Sequence, residues 1–442
     1  MVVKCVLRNP SSSSLVLLSK EIEMSTVSLE QTSSALSRSD RIRLLASFLV
    51  FPLLWCSGLF MVAAVLLPQR LRDVMGADAA TAAFGVINAC TAFISLLSNL
   101  VVGNLSDHTR SRFGRRTPWV ISGGIVGGVS LALVGFLDNV WLIGISYCVC
   151  MIGLNMMIAP VIATLSDRVP ANMRGTMSAF LAGGTAVGSA LGQMLGSRFL
   201  SNQIPGFLLS GTLMGLAGIC TVLVWPKEPS SKHLAKTSNG FGDMLKSFIP
   251  PTKGARDFWL AFVGRSLFIF AYYMILNYQL YVLEDYVGQS AQQAGNTIAV
   301  MSMVSMIVGL VSSLAGGPIS DRIGKRKIMI VLASVLMAVG FVLPWILHSP
   351  LSMILFAGFS GFGYGLYGAV DQALNVDVLP NKEEAGKDLG ILNIATTLGQ
   401  MVGPIVTSAV VAATGGYTVV FPVAIGFAAF ASLFIMLIKS VR

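Results

Sequence analysis

Long apolar stretches, separated by short polar or charged segments, make up most of the chain beyond residue 44. A helix needs about 20 predominantly apolar residues to cross the hydrocarbon core of a bilayer, and twelve stretches are long enough. The predicted helices cover residues 44–67, 80–104, 118–136, 140–166, 174–197, 206–225, 257–283, 295–319, 327–346, 351–376, 387–412 and 417–438. The pattern predicts an all-α membrane protein with twelve transmembrane helices, because barrel strands would give short segments of alternating hydropathy.

The composition agrees with this prediction. Hydrophobic residues make up 54% and charged residues 11% of the 442 residues, whereas soluble domains carry about a quarter charged residues. Such a chain cannot be a soluble enzyme, a secreted disulfide scaffold or a disordered protein. Five of the six cysteines lie in apolar stretches, and the three histidines are scattered in or beside loops. We therefore expect no metal, no cofactor and no catalytic site.

The net charge of +10 is concentrated in the loops and tails, without the basic and aromatic stripe of a nucleic-acid-binding protein. If the N-terminus is cytosolic, all but four of the 30 Lys and Arg residues fall in the cytosolic loops and tails. The exceptions are Arg70, Arg72, Arg198 and Arg265. Cytosolic loops carry an excess of Lys and Arg. We therefore predict a multi-pass protein of a plasma or inner membrane with both termini in the cytosol, and no nucleic-acid partner.

The chain divides into four predicted parts, two of which resemble each other. Residues 1–43 form a Ser-rich cytosolic tail, expected to be disordered, and a basic cytosolic linker at 226–256 separates six helices at 44–225 from six at 257–442. Three motifs recur in both halves in the same order. They are G-N-L-S-D with R-F-G-R-R (103–116) and G-P-I-S-D-R-I-G-K-R (317–326), D-R-V-P (167–170) and D-V-L-P (377–380), and G-Q-M-L-G (192–196) and G-Q-M-V-G (399–403). Two parallel six-helix repeats are typical of alternating-access carriers.

The loop after helices 2 and 8, with the pattern G-x-x-S-D-R-x-G-[KR]-[KR], resembles the loop motif of the major facilitator superfamily, and the resemblance extends from about residue 44 to 440. The longer first copy, S-D-H-T-R-S-R-F-G-R-R-T-P-W at 106–119, is similar to the sucrose/proton and glycoside–cation symporter branches. The resemblance implies the major facilitator fold, two pseudo-symmetric six-helix bundles. Ser95 and Asn99 stand where melibiose-type carriers have carboxylates, so a sodium site of that kind is not supported. Ile162 and Met151 likewise depart from the plant sucrose pattern.

The two loop motifs predict a contact at the cytosolic end that forms in one state of the carrier and breaks in the other. Their glycines permit close helix approach, and a carboxylate at a helix end can bind the N-terminus of a neighbouring helix. We expect Asp107 to contact the first turn of helix 11 around 388–390 in one state of the carrier and to release it in the other. The alternative is that these charges only set the topology. The predicted gating residues are Gly103, Asp107, Arg112, Gly114, Arg115, Arg116, Gly317, Asp321, Arg322, Gly324, Lys325 and Arg326.

Arg265 and Asp371 are the two charges predicted to lie well inside the twelve helices. Each would lie roughly 12 Å from the cytosolic edge, at 1.5 Å per residue. Charges at membrane depth are costly, face a partner or a cavity, and mark ion or substrate pathways. Because helices 7 and 10 line the central cavity in the superfamily, we predict that the two residues pair and handle the coupling proton. The alternative is a static ion pair.

Polar and aromatic side chains on the same helices predict a solute cavity. Helix 7 repeats them in steps of seven and helix 10 in steps of three and four. Aromatic faces with hydrogen-bonding groups suit a sugar, although each residue alone could equally join two helices by a hydrogen bond. The predicted cavity residues are Tyr272, Gln279, Tyr364, Tyr367, Gln372, Asn375, Asn155, Asn393 and Gln400.

These observations predict a secondary active transporter that moves a small solute, a sugar or glycoside, by alternating access with proton coupling. One alternative is a proton-coupled exporter of drugs or other amphiphiles, and another is a membrane protein that uses this fold without transport. The expected partners are the solute, protons and the lipid bilayer, and we expect the chain to work as a monomer. The chain contains no P-loop through which it could use ATP.

Overall fold

The computed structural model describes residues 37–170, 173–232, 251, 254–380 and 385–441. The predicted tail up to residue 36 and the linker from 233 to 250 lie outside this part of the chain, as do the side chains of Asp321 and Gln372. All regular elements of the described part are helical. The helices are α1 (Arg38–Met75), α2 (Ala77–His108), α3 (Thr117–Leu133), α4 (Val140–Arg168), α5 (Arg174–Ser197), α6 (Gln203–Val224), α7 (Arg256–Leu276), α8 (Ala291–Ile323), α9 (Arg326–Leu347), α10 (Pro350–Asp377), α11 (Ala385–Thr414) and α12 (Val420–Met436).

Ten of the twelve helices are long and apolar enough to cross a bilayer. The two others are α5, whose 24 residues are rich in Gly, Ser and Thr, and α12, which is strongly apolar but has only 17 residues. Helix α5 packs against α1, and α12 packs against α7 and α9, so both belong to the same bundles as the ten. The predicted twelve-helix, all-α architecture is confirmed.

The helix pairs of the two halves correspond. In the first half α1 packs against α5 and α6, α4 against α2 and α3, and α3 against α6. In the second half α7 packs against α11 and α12, α10 against α8 and α9, and α9 against α12. The second set is the first set shifted by six helices, which is the pseudo-symmetry that the repeated motifs predicted. The two six-helix bundles meet mainly where α2 packs against α11 and α5 against α8.

Close contacts between glycines hold α3 against α6 in the first bundle. A Cβ atom on Gly128 would lie 2.5 Å from the carbonyl oxygen of Gly211, and one on Gly211 would lie 2.4 Å from the carbonyl oxygen of Gly128. Such backbone-to-backbone packing is typical of membrane helices, which gain little hydrophobic driving force from each other in lipid. Substitution of either glycine would push the two helices apart.

Helix α1 begins earlier than predicted. The tail was predicted to run to residue 43, but the helix starts at Arg38 because Ser37 caps it: its hydroxyl oxygen accepts a hydrogen bond of 3.0 Å from the backbone N–H of Asp40. The Asp40 carboxylate in the first turn also favours a helix N-terminus. The prediction of a non-helical tail was therefore wrong for its last six residues, 38–43.

Helix 7 is interrupted, whereas a continuous span at 257–283 was predicted. Helix α7 ends at Leu276, and the chain turns before a helical turn at Gln279–Tyr281 and a π-helical turn at Val282–Tyr286. The Tyr278 side chain at the break is buried, and its hydroxyl donates a hydrogen bond of 3.0 Å to the Pro404 carbonyl of α11. Asn277, Tyr278 and Gln279 lie at the break, and apolar residues resume after them up to Leu283, so hydropathy averaged over the stretch predicted one continuous span.

The loops fall at two ends of the molecule. We call the basic end the one that holds the chain ends of α1 and α12 and the loops α2–α3, α4–α5, α6–α7, α8–α9 and α10–α11. The opposite end holds the five remaining loops and the turns after α7. The Lys and Arg residues of the loops lie mainly at the basic end.

Candidate functional site

A buried ion pair joins α7 and α10 inside the second bundle. Arg265 Nη1 lies 2.7 Å from Asp371 Oδ2, and the two side chains are only 8% and 5% exposed. Sequence analysis predicted that these residues pair, and the structure brings them together. A charge that is removed from water at such a site needs a partner with good geometry, so the surroundings of both side chains decide how stable the pair is.

Two neighbours on α10 hold the carboxylate of Asp371. The Tyr367 hydroxyl donates a hydrogen bond of 2.6 Å to Oδ1, and Asn375 Nδ2 donates one of 3.0 Å to Oδ2. They stand one turn before and one turn after Asp371, where residues four apart share a helix face. Both carboxylate oxygens are therefore satisfied within one buried stripe of α10. The structure places Tyr367 and Asn375, two predicted cavity residues, at the ion pair.

The guanidinium of Arg265 also reaches α11. Its Nε donates a hydrogen bond of 2.8 Å to Thr396 Oγ1, and Nη2 donates one of 3.1 Å to Asn393 Oδ1. The contact of Nη1 with Asp371 has the distance of an ion pair without the geometry of a hydrogen bond. One arginine thus joins α7, α10 and α11, and a change in its charge balance acts on three helices.

Aromatic rings form a wall beside the ion pair. Phe268 stacks on Tyr367 with ring centroids 3.9 Å apart, and Tyr272 stacks on Tyr364 at 4.5 Å. Tyr272 and Tyr364 are half-buried, whereas Phe268 and Tyr367 are buried. The four residues form a stack of rings and hydroxyls that follows α7 and α10 away from the charges.

Gln400 and two residues missed by the prediction complete the wall. Gln400 Nε2 donates a hydrogen bond of 3.1 Å to the Tyr273 hydroxyl. Phe268 and Tyr273 were not predicted as site residues. A spacing of three and four from Arg265 through Phe268 to Tyr272 could have identified Phe268, since that spacing defines one helix face. The prediction followed steps of seven instead.

Gln279 lies away from the ion pair. It was placed on the same stripe of helix 7 as Arg265 and Tyr272, but the helix ends at Leu276. Its Nε2 donates a hydrogen bond of 2.6 Å to Gln193 Oε1 on α5, at the opposite end and across the boundary between the bundles. The step-of-seven argument was wrong for Gln279, because it assumed an unbroken helix.

Asn155 forms a separate polar cluster in the first bundle. Its Nδ2 donates hydrogen bonds to Ser95 Oγ and to the Met151 carbonyl, both 2.8 Å long, and its Oδ1 accepts one of 2.9 Å from Asn99. Ser95 and Asn99 are the α2 residues that stand where melibiose-type carriers have carboxylates. The cluster joins α2 to α4 and carries no charge.

The first loop motif is tied to its own bundle. Arg116 is buried and lies 2.5 Å from Asp107 Oδ1 and 2.9 Å from Asp167 Oδ2, and it donates a hydrogen bond of 2.7 Å to Ser106 Oγ. Arg115 adds a second ion pair to Asp167 at 2.8 Å. The Asp107 side chain is 52% exposed. The expected contact of Asp107 with residues 388–390 is not among the contacts of the described residues, so in this conformation the motif binds within its own bundle.

Glu228 explains why the first loop motif has glycine at position 114, and it was not among the predicted site residues. Its carboxylate accepts hydrogen bonds of 3.0–3.1 Å from the backbone N–H groups of Arg115, Arg116 and Thr117, at the N-terminus of α3. Gly114 has φ +92°, and a Cβ atom there would lie 2.2 Å from Glu228 Cδ. The motif requires glycine at 114 because the carboxylate of Glu228 fills the space of a side chain. No signal in the sequence placed Glu228 there.

The second loop motif is simpler. Gly324 ends α8 in the left-handed conformation (φ +65°) with nothing within 4 Å of its Cβ position. Arg326 pairs with Asp377 and donates a hydrogen bond of 3.1 Å to the Ala373 carbonyl. Arg322 and Lys325 are exposed, as is Arg112, which lies over the ring of Phe113 in the first motif.

The first glycine of each motif does not make the close helix contact that was predicted. A Cβ atom on Gly103 or Gly317 would meet nothing within 4 Å. The prediction was therefore wrong for this conformation. The reason lies in the arrangement of the bundles, because at the basic end no described helix from the other bundle lies against either glycine.

The contacts between the bundles are at the opposite end. Every hydrogen bond, ion pair and ring contact between the two bundles that the described residues show lies there. They join Arg72 to Glu284 and Asp285, Tyr281 to Pro68, Thr81 to Tyr278 and Tyr417, Phe84 to Tyr278 and Tyr281, and Gln193 to Gln279. The described loop motifs at the basic end bind within their own bundles. We call the set of opposite-end contacts the gate, and it is closed in this structure.

An apolar cleft of about 340 Å³ lies between α9 and α12, which are not the helices that carry the ion pair. It is lined by Val335, Ala338, Val342 and Ala429 among others and by no charged side chain. The polar side chains that line it, Ser334 and Ser432, donate hydrogen bonds to backbone carbonyls of their own helices, so the cleft suits a polar solute poorly and the ion pair with its aromatic wall remains the candidate site.

Comparison with known proteins identifies the family of the chain. The sequence matches the profile of the Major Facilitator Superfamily over residues 44–312 and 266–442. It is 25% identical over 362 residues to the class C tetracycline resistance protein of Escherichia coli (79% of this chain, 85% of that protein). It is 24% identical over 352 residues to the hexuronate transporter of Bacillus subtilis (strain 168) (76% and 80%).

A solved structure of a mutant of the nucleoside transporter NupG has the same fold, with a TM-score of 0.72 at 14% identity over 89% of this chain and 99% of that one. These relatives do not single out the sucrose and glycoside branches, so that part of the resemblance stays a prediction. The profile match covers residues 44–442, which include nearly all of both six-helix bundles and the buried ion pair of the second. The chain belongs to the Major Facilitator Superfamily, and it is a multi-pass membrane transporter of small solutes.

Proposed function

We propose that this transporter carries a small polyhydroxylated solute, a sugar or glycoside, in symport with protons by alternating access. In this proposal Asp371 accepts the coupling proton, Arg265 is its charge partner, and the solute binds beside them. The basic end faces the cytosol. The single observation that carries the proposal is the buried Arg265–Asp371 pair, which joins α7 to α10 and is bonded to α11 through Arg265.

Protonation of Asp371 would rearrange the bundle. The neutral acid no longer attracts Arg265, which keeps its hydrogen bonds to Thr396 and Asn393 on α11. Helix α10 is then released from α7 and α11. An unpaired charge in a buried site is strongly unfavourable, so the guanidinium either draws in a polar group of the solute or leaves the site. Proton binding and solute binding are coupled in this way through one residue.

The aromatic wall suits a sugar. The half-buried rings of Tyr272 and Tyr364 offer flat surfaces for the C–H face of a sugar ring, and Tyr273, Gln400 and Asn393 offer hydrogen-bonding groups for hydroxyls. Ligand sites combine mainly aromatic and apolar surface with a few polar groups that fix orientation. A relative that is named as a hexuronate transporter and a structural neighbour that is named as a nucleoside transporter both carry solutes with a sugar part, which supports this class.

Alternating access would use the two ends in turn. The gate at the opposite end is closed here, while Asp107 binds Arg116 in its own bundle. In the other state we expect the gate to open and the basic end to close. Asp107 would then exchange part of its contact with Arg116 for the N-terminus of α11, where a carboxylate is stabilised by about 0.3–2 kcal/mol. Gly103 and Gly317, uncovered here, would then meet the facing bundle.

Reconstitution into liposomes tests the function. Purified protein in proteoliposomes with an imposed proton gradient is screened with hexoses, hexuronates, glycosides and nucleosides, with protein-free liposomes and a collapsed gradient as controls. We expect gradient-driven accumulation of at least one sugar-like solute. Accumulation that is unchanged when the gradient is collapsed would contradict proton coupling.

A second candidate is a proton-coupled exporter of drugs or other amphiphiles. The relation to a protein that is named for tetracycline resistance favours it. The same liposomes distinguish the two candidates when tetracycline and cationic dyes are added to the screen. Proton-driven movement of those compounds, with none of the sugars, would replace the first proposal by the second.

A further inference from the structure

The gate contains a group of charges that the site described above does not use. Arg72 near the end of α1 reaches into the second bundle, where its Nη1 lies 2.7 Å from Glu284 Oε2 and its Nη2 lies 2.6 Å from Asp285 Oδ2. Its guanidinium carbon lies 4.9 Å from the centre of the Tyr281 ring. One arginine of the first bundle thus inserts between two carboxylates and an aromatic ring of the second.

The two carboxylates differ in burial. The Glu284 side chain is only 6% exposed, whereas that of Asp285 is 33% exposed. Glu284 Oε2 also has no hydrogen bond, because Arg72 Nη1 meets it at ion-pair distance without hydrogen-bond geometry. A buried carboxylate without hydrogen bonds is more costly to keep ionised than an exposed one.

Other titratable groups face Glu284 from three elements. Asp73 lies beside Arg72 on α1, where two amides hold its carboxylate: Gln69 Nε2 at 2.9 Å and Gln203 Nε2 at 2.6 Å. Asp285 and Tyr281 belong to the turns after α7, and Tyr417 lies before α12. The nearby negative charges oppose ionisation of Glu284, and Arg72 is the one cation among these groups that favours it.

The geometry points to Glu284 as a proton-binding site of the gate, distinct from Asp371, at which closure of the gate takes up a proton from the solution at the opposite end. When the gate is closed, Glu284 lies between the bundles with Arg72 and its negative neighbours. When the bundles separate, the side chain faces water and Arg72 leaves it. The site goes beyond the proposed function, since it requires only that the bundles separate at this end.

The direction of the pH effect follows from linkage. Burial, and to a lesser extent Asp285 and Asp73, raises the pKa of Glu284 from its ordinary 4.5 to about 7 in the closed gate, against the lowering effect of Arg72. In the open gate the exposed carboxyl returns towards its ordinary pKa. The closed state therefore binds the proton more tightly, and acid favours closure. The effect operates between about pH 4.5 and 7 and disappears above that window, where Glu284 is ionised in both states.

Spin-label distances across the gate test the inference. Nitroxides are placed at Ser201 and Gln292, exposed residues at the opposite end of the first and second bundles, in the full chain with its six native cysteines replaced and the protein in lipid nanodiscs. Between pH 7.5 and 5.5 we expect the ratio of the short-distance to the long-distance population to rise on the order of tenfold, from the two pKa values by linkage.

Two variants and one control define the result. Glu284→Gln, which keeps the uncharged form, is made in an Asp371→Asn background that removes the proton site of the proposed function, and it is expected to give a ratio that does not change with pH. Arg72→Gln is expected to move the response to higher pH, since Arg72 is the group that lowers the pKa of Glu284. The control is Asp138→Asn, a carboxylate at the same end that pairs with Arg70 at 2.6 Å within one bundle, and it should keep the full response.

The outcomes separate this site from the proposed function. A distance ratio of the parent protein that is constant from pH 5 to 8, or one that responds to pH in Glu284→Gln/Asp371→Asn as it does in Asp371→Asn alone, overturns the inference. If Asp371→Asn abolishes proton-driven uptake and keeps the pH response of the gate, both proposals stand. If uptake of every solute proves independent of protons while the gate responds to pH, the proposed function fails and this site remains.

Discussion

The two bundles share one packing scheme and differ in the polar groups at their centres. In the first bundle Ser95, Asn99 and Asn155 join α2 to α4 by neutral hydrogen bonds. In the second, Arg265 and Asp371 join α7 to α10 by a buried charge pair. Neutral groups can be satisfied by one another at little net cost. A buried ion pair is stable only while both partners are charged, and the binding of a single proton neutralises one of them. Under the proposed function, the second bundle carries the proton coupling and the neutral cluster of the first bundle has a structural role.

Removal of one charge should have the largest effect. Arg265→Gln or Asp371→Asn alone leaves its partner buried and uncompensated, and each is expected to lower the stability of the purified protein by about 3–5 kcal/mol. The double variant should lose much less than the sum, because neither charge is then left alone. Thermal unfolding of the three variants in detergent measures the cycle. Purely additive losses would show that the two residues are not partners. The contrast between a neutral cluster in the first bundle and an ion pair in the second would then not hold.

The second largest effect is expected from loss of the Tyr367 hydroxyl. Tyr367→Phe removes the 2.6 Å hydrogen bond to Asp371 Oδ1 but retains the ring that stacks on Phe268. A hydrogen bond to a charged group contributes about 1.5–3 kcal/mol, so we expect a fall in coupled uptake of roughly tenfold or more. The matched control is Tyr286→Phe, whose hydroxyl donates to the Trp345 carbonyl at the opposite end. Equal effects of the two changes would count against a special role of the first.

The neutral cluster of the first bundle should matter for stability and little for coupling. Asn155→Ala removes the hydrogen bonds to Ser95 and Asn99 and leaves those groups to find other partners, at a cost of about 1–2 kcal/mol. We expect a lower unfolding temperature and a proton-to-solute ratio equal to that of the parent protein. Counting both fluxes in the same liposomes measures this ratio. A change in the ratio would place part of the coupling in the first bundle.

The smallest expected difference between the two bundles is the loss of stability on substitution of Gly114 or Gly324. Gly114 and Gly324 both have positive φ, so alanine at either position is strained by about 1 kcal/mol or more. At Gly114 the new Cβ would also collide with Glu228, whereas nothing lies within 4 Å at Gly324. Gly114→Ala should therefore be the more destabilising by about 1 kcal/mol. Glu228→Ala alone loses the hydrogen bonds to the start of α3, so the matched comparison is within that background, where adding Gly114→Ala should cost no more than Gly324→Ala does in the parent protein. Equal unfolding temperatures of the two single variants would mean that Glu228 does not hold the first loop.

The fold was predictable from the sequence because it depends on hydropathy averaged over long stretches of the chain. Twelve apolar stretches and three repeated motifs are enough to define two six-helix bundles, and no single residue decides the result. The pairing of Arg265 with Asp371 was also predictable, because two charges inside apolar stretches must compensate each other. Their surroundings were only partly predictable: Tyr367 and Asn375 share a helix with Asp371, whereas Thr396 comes from another helix, and its role depends on how α7 and α11 cross.

The failures have a common physical cause. Gln279 was misplaced because hydropathy does not reveal a break in an apolar helix, and the break at Tyr278 depends on a contact with Pro404 more than 100 residues away. Glu228 was overlooked because a single acid in a basic loop has no pattern of its own. The cluster of Arg72 with Glu284 and Asp285 joins residues of different bundles. Contacts between distant segments depend on the tertiary arrangement, which local patterns do not contain.

The role of Asp371 can be tested by comparing two kinds of transport in one variant. Proteoliposomes with Asp371→Asn are assayed for solute accumulation that is driven by a proton gradient and for solute exchange without a gradient, beside Asp377→Asn, a carboxylate of the same helix that pairs with Arg326 at the basic end. We predict that Asp371→Asn abolishes accumulation while exchange persists, and that Asp377→Asn keeps both. Accumulation by Asp371→Asn at the level of the parent protein would contradict the assignment of the coupling proton to this residue.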